Sequence, residues 1–320
     1  MLILGHDDVL AALSPEDCAD AMAAVLAAHA RGEALMPLRS MVPFDGAAGF
    51  IATMPAWRGG SDPVFSLKSL VIAPGNPARG LDTHQGTVTL FDGETGVPSA
   101  ILDASAVTSV RTAAVSAVAT RVLAREDARV LTILGAGVQG RAHLRALADI
   151  REFGEVRVYS PSREHAEAMA DGRATVAASA EDAVRGADVI VLATSAPEPV
   201  ISHDWLAPGV HVNAIGASVA SSRELDTETV AACALYCDSR ESLRNEAGEF
   251  RLALEQGAIA GEDHVRGELG EVLAGLAPGR TRPEELTVFR SLGLAVEDLA
   301  AAERAVSVAR QRGIGVEVHL

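Results

Sequence analysis

The feature that most constrains this fold is a short apolar run ending in three spaced glycines. Val130–Leu134 is followed at once by Gly135, Ala136, Gly137, Val138, Gln139 and Gly140, and then by a stretch free of turn residues to about Ile150. A buried strand feeding such a turn and a helix has a physical logic. The first glycine takes the tight turn, the second lets backbone approach a pyrophosphate, and the third lets helix pack on strand, while the helix N-terminus attracts the anion. Glycines alone are a weak signal, but here strand-like runs at 156–160, 188–193, 210–215 and 235–237 follow, the first leading into a helix from Ser162. The pattern predicts an α/β region with a parallel sheet that binds a dinucleotide.

Upstream of about residue 125 the chain has a different character. Ser14-Pro15 reads as a helix cap with proline at the first helical position, and Met22, Val25, Leu26 and His29 form the packing stripe of a helix that ends near Gly32. Between Leu38 and Leu102, short β-like runs are separated by turn signals at 44–46, 58–60, 74–76 and 92–96, which predicts a mainly antiparallel sheet. Residues 104–124 read as a helix.

Composition excludes several functions. A formal net charge of −16 disfavours nucleic acid and anionic membrane surfaces as partners, since both select clustered positive potential. No apolar run approaches the ~18 residues of a membrane span, and the first residues carry neither a basic nor a long apolar signal region, so the expected location is the cytosol. Three cysteines, Cys18, Cys233 and Cys237, make neither a disulfide framework nor a zinc site, and no metal is expected.

Among 27 basic residues there is one lysine, Lys68, in Phe65-Ser66-Leu67-Lys68-Ser69-Leu70. Arginine stays charged, whereas a lysine ammonium loses its proton readily when buried, so Lys68 is the first candidate for proton transfer. The competing reading is a chance survivor on an exposed strand face. Cofactor choice is read at the end of the second strand, where an acidic residue would bind the ribose 2′-hydroxyl of NAD. Tyr159-Ser160-Pro161-Ser162-Arg163 stands there instead, with two hydroxyls and a guanidinium suited to a 2′-phosphate. NADP(H) is therefore expected over NAD(H), with NAD(H) use left open. The alternative for Arg163 is that it points to solvent from the following helix.

Several motifs then occur in order: Pro74-Gly75-Asn76, Leu81-Asp82-Thr83-His84-Gln85-Gly86, Leu90-Phe91-Asp92-Gly93, Thr108-Ser109-Val110-Arg111-Thr112, the glycine turn, Asn213-Ala214-Ile215-Gly216-Ala217-Ser218, Arg223-Glu224-Leu225-Asp226, Gly267-Glu268-Leu269-Gly270-Glu271, and 288–298. With these the chain resembles the ornithine cyclodeaminase/mu-crystallin family over nearly its whole length. The resemblance implies a Rossmann NAD(P)-binding domain at 125–300. It also implies an α+β substrate-binding and dimerisation domain from 1–124 plus the tail 301–320, an active site between the two, and a homodimer. It places Arg39, Lys68 and Arg111 around the substrate carboxylate and reacting nitrogen, which agrees with the chemistry of fixed arginines and a tunable lysine. Arg39 could equally be an ordinary strand cation, and Arg111 a structural ion pair. Thr83, His84, Arg111, Ser160, Ser162, Thr194, Ile215 and Ser291 would line the cofactor, with His84 equally readable as a turn histidine.

Two departures from the family pattern matter. Asp82 stands where a proline is usual before Thr83-His84, which affects the local turn. Ser218 occupies the position that an aspartate holds in the cyclising deaminases, and serine is no carboxylate base at neutral pH. With Gly216-Ala217-Ser218 the chain is similar to the family members that reduce imines, and that resemblance implies a reductase of small imino acids, such as pyrroline- or piperideine-2-carboxylate, with Lys68, Arg39, Arg111 and Ser218 at the chemistry. Alternatives are an amino-acid dehydrogenase of alanine or opine type, an ornithine cyclodeaminase, and an NADP-dependent small-ligand binder with little turnover.

Overall fold

The computed structural model describes residues 1–319. The chain divides into two compact units, one formed by residues 1–111 and those from 293 onward, the other by 112–292. Both boundaries precede the 124/125 and 300/301 expected from the sequence. The change of pattern near 125 marks entry into the first strand of the second unit, but the division falls earlier, within the helix Ala104–Leu123. On the other side, the helix Ala295–Arg312 packs on the sheet of the first unit and so belongs there.

In the first unit, strands β1 (Leu2–Leu4), β2 (Ala34–Leu35), β3 (Ser40–Pro43), β4 (Phe50–Arg58), β5 (Val64–Ile72), β6 (His84–Asp92) and β7 (Pro98–Asp103) join the C-terminal strand Val316–Glu317 in one sheet. Every pairing is antiparallel except β1 with β7. Period-two patterning sets what each strand buries. On β5 the buried residues are Ser66, Lys68 and Leu70, and on β4 Ala52, Met54 and Ala56, while Phe65, Val71 and Ile51 face out. The helix Ala295–Arg312 covers the buried face and packs also on the helix Pro15–Ala30. That second helix starts as its sequence dictates, with the Ser14 hydroxyl accepting from the Asp17 amide at 3.1 Å and Pro15 in the first turn.

The second unit holds eight strands: β8 (Val130–Leu134), β9 (Glu155–Tyr159), β10 (Thr175–Val176), β11 (Val189–Leu192), β12 (His211–Ala214), β13 (Ala234–Cys237), β14 (Val265–Glu268) and β15 (Thr287–Arg290). All pairings are parallel, in the order β10-β9-β8-β11-β12-β15-β13-β14. The first five strands follow the 3-2-1-4-5 winding of a Rossmann sheet, with the switch point between β8 and β11. Both faces are buried: Val189 and Val191 pack with Leu144 and Met169 on one side, Ile190 and Leu192 with Val212 and Phe250 on the other. This explains the unbroken apolar strands of the sequence.

Candidate active site

Strand β5 places Lys68 on the buried face of the first unit, 2% exposed, which rules out the exposed-face reading. Its ammonium donates to Thr108 Oγ1 at 2.7 Å and to Asp298 Oδ1 at 3.0 Å. The Thr108 hydroxyl is itself turned by donating to the Ala104 carbonyl at 2.6 Å. Arg111, on the same helix, donates from Nε to the same Asp298 oxygen at 3.0 Å and from Nη1 to Glu297 Oε2 at 2.8 Å. Asp298 Oδ1 therefore binds both cations, while its Oδ2 has no hydrogen-bond partner among the described residues. Burial pushes the Lys68 ammonium down to about 8, helped by the charges of Arg111 and Arg39 and opposed by Asp298. Asp298 stays below the ordinary carboxylate range because Lys68 and Arg111 outweigh its own burial.

Arg39 lies just before β3, half-buried, and its charge is felt at both Lys68 and His84. His84 opens β6 and is pushed down to about 4, first by burial and then by Lys68 and Arg111, so it is neutral at physiological pH. Thr83 precedes it, and its carbonyl accepts from the Ala73 amide at 2.9 Å. The turn questioned at Asp82 is closed by that residue itself. Its carbonyl accepts from Asn76 at 2.9 Å and Gln85 at 3.0 Å, and its carboxylate accepts from the Ser105 hydroxyl at 2.6 Å.

In the second unit the glycine turn leaves β8 as its sequence requires. Gly135 has φ +109°, and a side chain there would collide with the Ala193 carbonyl. One at Gly140 would run into the Gly135 carbonyl, whereas one at Gly137 would meet nothing within 4 Å. The turn is thus packed at its first and third glycines and open at its second, ahead of the helix Val138–Ile150. Such an open backbone at a helix N-terminus fits a pyrophosphate. Ala136 is buried, and Val138 is exposed. Gln139 gives its carbonyl to His143 at 2.7 Å.

At the end of β9, Ser160 and Ser162 are half-buried, and Ser162 caps the helix Arg163–Ala170 by accepting from the His165 amide at 3.3 Å. The Arg163 side chain is 72% exposed and pairs with Glu167 at 2.8 Å, so its guanidinium stands in solvent. Thr194, Ile215 and Ser218 lie on the loops that follow β11 and β12, and Ser291 follows β15. The Thr194 hydroxyl is committed to Glu224 at 2.8 Å, and the buried Ser291 hydroxyl is turned to Asp238 at 3.4 Å.

The structure thus groups Lys68, Arg111, Arg39 and His84 in one unit and the glycine turn with Thr194, Ile215, Ser218 and Ser291 in the other. Sequence reasoning missed Asp298, Glu297, Glu224 and Arg290. Glu297 and Asp298 stand in the first turn of the helix Ala295–Arg312, where acidic residues are common because they complement the helix N-terminus, so their role as counter-charges has no distinct sequence signature. The signal that could have found them is their complete burial, and sequence shows that only through the apolar residues around them.

A parallel sheet wound 3-2-1-4-5 with an open glycine turn at its switch point defines the nucleotide-binding class of doubly wound folds, here joined to a second unit holding a buried lysine between acids and arginines. Comparison with known proteins makes this specific. The ornithine cyclodeaminase/mu-crystallin family model matches residues 2–311, and the chain belongs to that family. Mouse ketimine reductase mu-crystallin is 41% identical over 275 residues, covering 85% of this chain and 84% of that protein. The structure of Thermococcus litoralis Δ1-pyrroline-2-carboxylate reductase in complex with NADH and L-proline superposes with a TM-score of 0.93 at 33% identity, over 99% of this chain and 100% of that one. An archaeal alanine dehydrogenase dimer with bound NAD gives a TM-score of 0.93 at 33% identity, over 100% and 99% of the two chains.

Proposed function

We propose that this chain reduces small cyclic imino acids, ketimines with a 2-carboxylate such as pyrroline- or piperideine-2-carboxylate, with NAD(P)H. The observation that carries the reading is Lys68: a buried ammonium, held by hydrogen bonds to Asp298 and Thr108 that take two of its three N–H bonds, and pushed down by burial to about 8. The third N–H is the one to meet a substrate nitrogen. Reduced nicotinamide, when bound, would supply the hydride to the imine carbon. As that C=N bond becomes an amine its nitrogen grows more basic, and Lys68 gives it a proton and recovers one from solvent. Arg111 and Arg39 hold the carboxylate, Arg111 with its fork already oriented by Glu297 and Asp298. The open backbone at Gly137 takes the pyrophosphate. Thr83, His84, Ser160, Ser162, Thr194, Ile215, Ser218 and Ser291 complete the surroundings of cofactor and substrate in this reading.

NADP(H) is the preferred cofactor in this proposal, through Ser160, Ser162 and Arg163. The surface pair with Glu167 is cheap to exchange for a 2′-phosphate. NADPH should then bind more tightly than NADH, and Arg163→Ala should remove about 1.5–3 kcal/mol of that preference. Equal affinities of the unaltered protein for the two cofactors, by calorimetry, would contradict this.

A homodimer is part of the proposal. Leu35, Val42, Ile51, Phe65 and Val71 form an exposed apolar face on β2 to β5, with a groove of about 500 Å³ that Leu35 and Phe65 line together with Met36, Pro37, Trp57 and Phe91. Similarity to the archaeal alanine dehydrogenase favours a second reading, in which the imine forms from a 2-oxo acid and ammonia. The test is NADPH and NADH oxidation with cyclic imino acids against 2-oxo acids plus ammonia. Cyclic ketimine reduction as the best activity is expected, and no ammonia should be released from L-ornithine with NAD, because Ser218 offers no carboxylate. Turnover confined to 2-oxo acids and ammonia, or robust proline formation from ornithine, would overturn the proposal.

A further inference from the structure

The loops that follow β11 and β12 are held by charges buried beneath them. Glu224 is completely buried, and its two carboxylate oxygens take four donors. Oε1 accepts from the Thr194 amide and the Thr194 hydroxyl, each at 2.8 Å. Oε2 accepts from the Gly216 amide at 2.7 Å and the Ala217 amide at 3.3 Å. One side chain therefore fastens both post-strand loops. Arg290, buried at the end of β15, takes carbonyls at the end of β12 and in the loop after it. Its guanidinium donates to the Ala214 carbonyl at 3.0 Å, to the Ser291 carbonyl at 2.9 Å and to the Ala217 carbonyl. Arg290 is itself neutralised by the buried Glu249, with which it forms an ion pair, Nε 2.6 Å from Oε1.

Four donors match the four lone-pair sites of an ionised carboxylate; burial pushes the Glu224 carboxyl up to about 7, and Arg290 with the Thr194 and Gly216 donors opposes that rise and favours the ionised form. The packing leaves no slack. A Cβ at Gly216 would overlap the Thr194 backbone and sit 2.6 Å from Glu224 Oε1. On the far side of Thr194 a Cβ at Gly135 would meet the Ala193 carbonyl, so the β8, β11 and β12 loops are stacked in series across the switch point. Ligands of open α/β sheets bind outside these strand ends.

We propose that Glu224 is a positioning residue for the dinucleotide: it fixes the loops at Thr194 and at 215–218 in the one arrangement that accepts the cofactor, with Arg290 holding the opposite edge of the second loop. The inference rests on the reading that this unit binds NAD(P)H. Glu224 does not touch the reacting atoms; it acts through the backbone it holds. Burying a carboxylate there is costly, and it is repaid only by fully satisfied hydrogen bonding. An apolar residue would fill the space without orienting either loop.

The test uses Glu224→Gln in the full chain, since the amide sets a donor against two N–H groups that need an acceptor. NADPH affinity by fluorescence titration should weaken about tenfold, amide hydrogen-exchange protection at 194 and 215–218 should fall in the cofactor-free protein, and the KM for the imine should stay within twofold. A merely structural role would lower the melting temperature and leave the NADPH affinity of the folded protein unchanged, which would overturn the inference. Should Glu224→Gln fail to fold, Glu224→Asp keeps the buried charge but is too short to reach both loops, and the same weakening of NADPH with an unchanged imine KM is expected. Wild-type protein that binds neither NADPH nor NADH would overturn the dinucleotide reading and this inference with it. Normal binding by both wild type and variants would overturn this inference alone.

Discussion

Asp298 gives one oxygen to two cations, and that sharing ties the protonation of Lys68 to the orientation of Arg111. Its negative charge is what keeps the Lys68 ammonium from falling further below about 8. Imine reduction that needs the ammonium should therefore decline as pH rises through about 8. Asp298→Asn removes the opposing charge, so the alkaline limb of kcat/KM should move to lower pH, with at least a tenfold loss of kcat/KM at neutral pH as Arg111 loses an anchor. An unmoved limb would show that another group sets it. The same shift has a stability consequence. Because the folded pKa of Lys68 lies below its unfolded value, the unfolded chain holds the extra proton between about 8 and the ordinary lysine range. The contribution of this group to stability accordingly rises with pH across that window.

At the scale of elements, the strands and helices around the glycine turn were legible because each obeys a local rule. Val130–Leu134 is apolar and the turn has its glycines, and the helix starting at Arg163 has Ser162 as its cap. The antiparallel strands β4 to β6 were legible as a group from their turns. The order β15-β13-β14 was not, since strands of four residues separated by long excursions carry no local record of their neighbours. Nor was the partnership of Lys68 with Asp298, 230 positions apart, because only the packing of the helix Ala295–Arg312 brings them together. The segment entering that helix carries its own constraint. Gly293 has φ +82°, and a Cβ there would lie 2.7 Å from both terminal nitrogens of Arg111. Gly293→Ala should strain the backbone and displace the guanidinium, raising the imine KM about tenfold or more while leaving NADPH affinity within twofold. Unchanged KM in a folded variant would detach Arg111 from substrate binding.

At the scale of the molecule, the apolar outer face of β2 to β5 needs a cover, and the proposed dimer supplies a second copy. Phe65→Glu, on the outward side of the strand that carries Lys68, should shift the mass in light scattering from dimer to monomer. A wild-type monomer at micromolar concentration would contradict the dimer. A net charge of −16 builds no positive field for a large polyanion, which leaves the cations to act singly, as Lys68 and Arg111 do in the first unit and Arg290 in the second.

The central claim, that Lys68 is the proton donor in imine reduction, is tested most directly by steady-state NADPH oxidation with the best cyclic imino acid, compared for wild type, Lys68→Arg and Lys68→Met. Guanidinium is too weak an acid at neutral pH and too wide for a site closed by Thr108 and Asp298. Both variants should therefore lose most of their turnover, by a factor of about 100 or more, while NADPH titrates as in wild type. Near wild-type turnover by Lys68→Arg would mean that the residue supplies only charge, and would contradict the account.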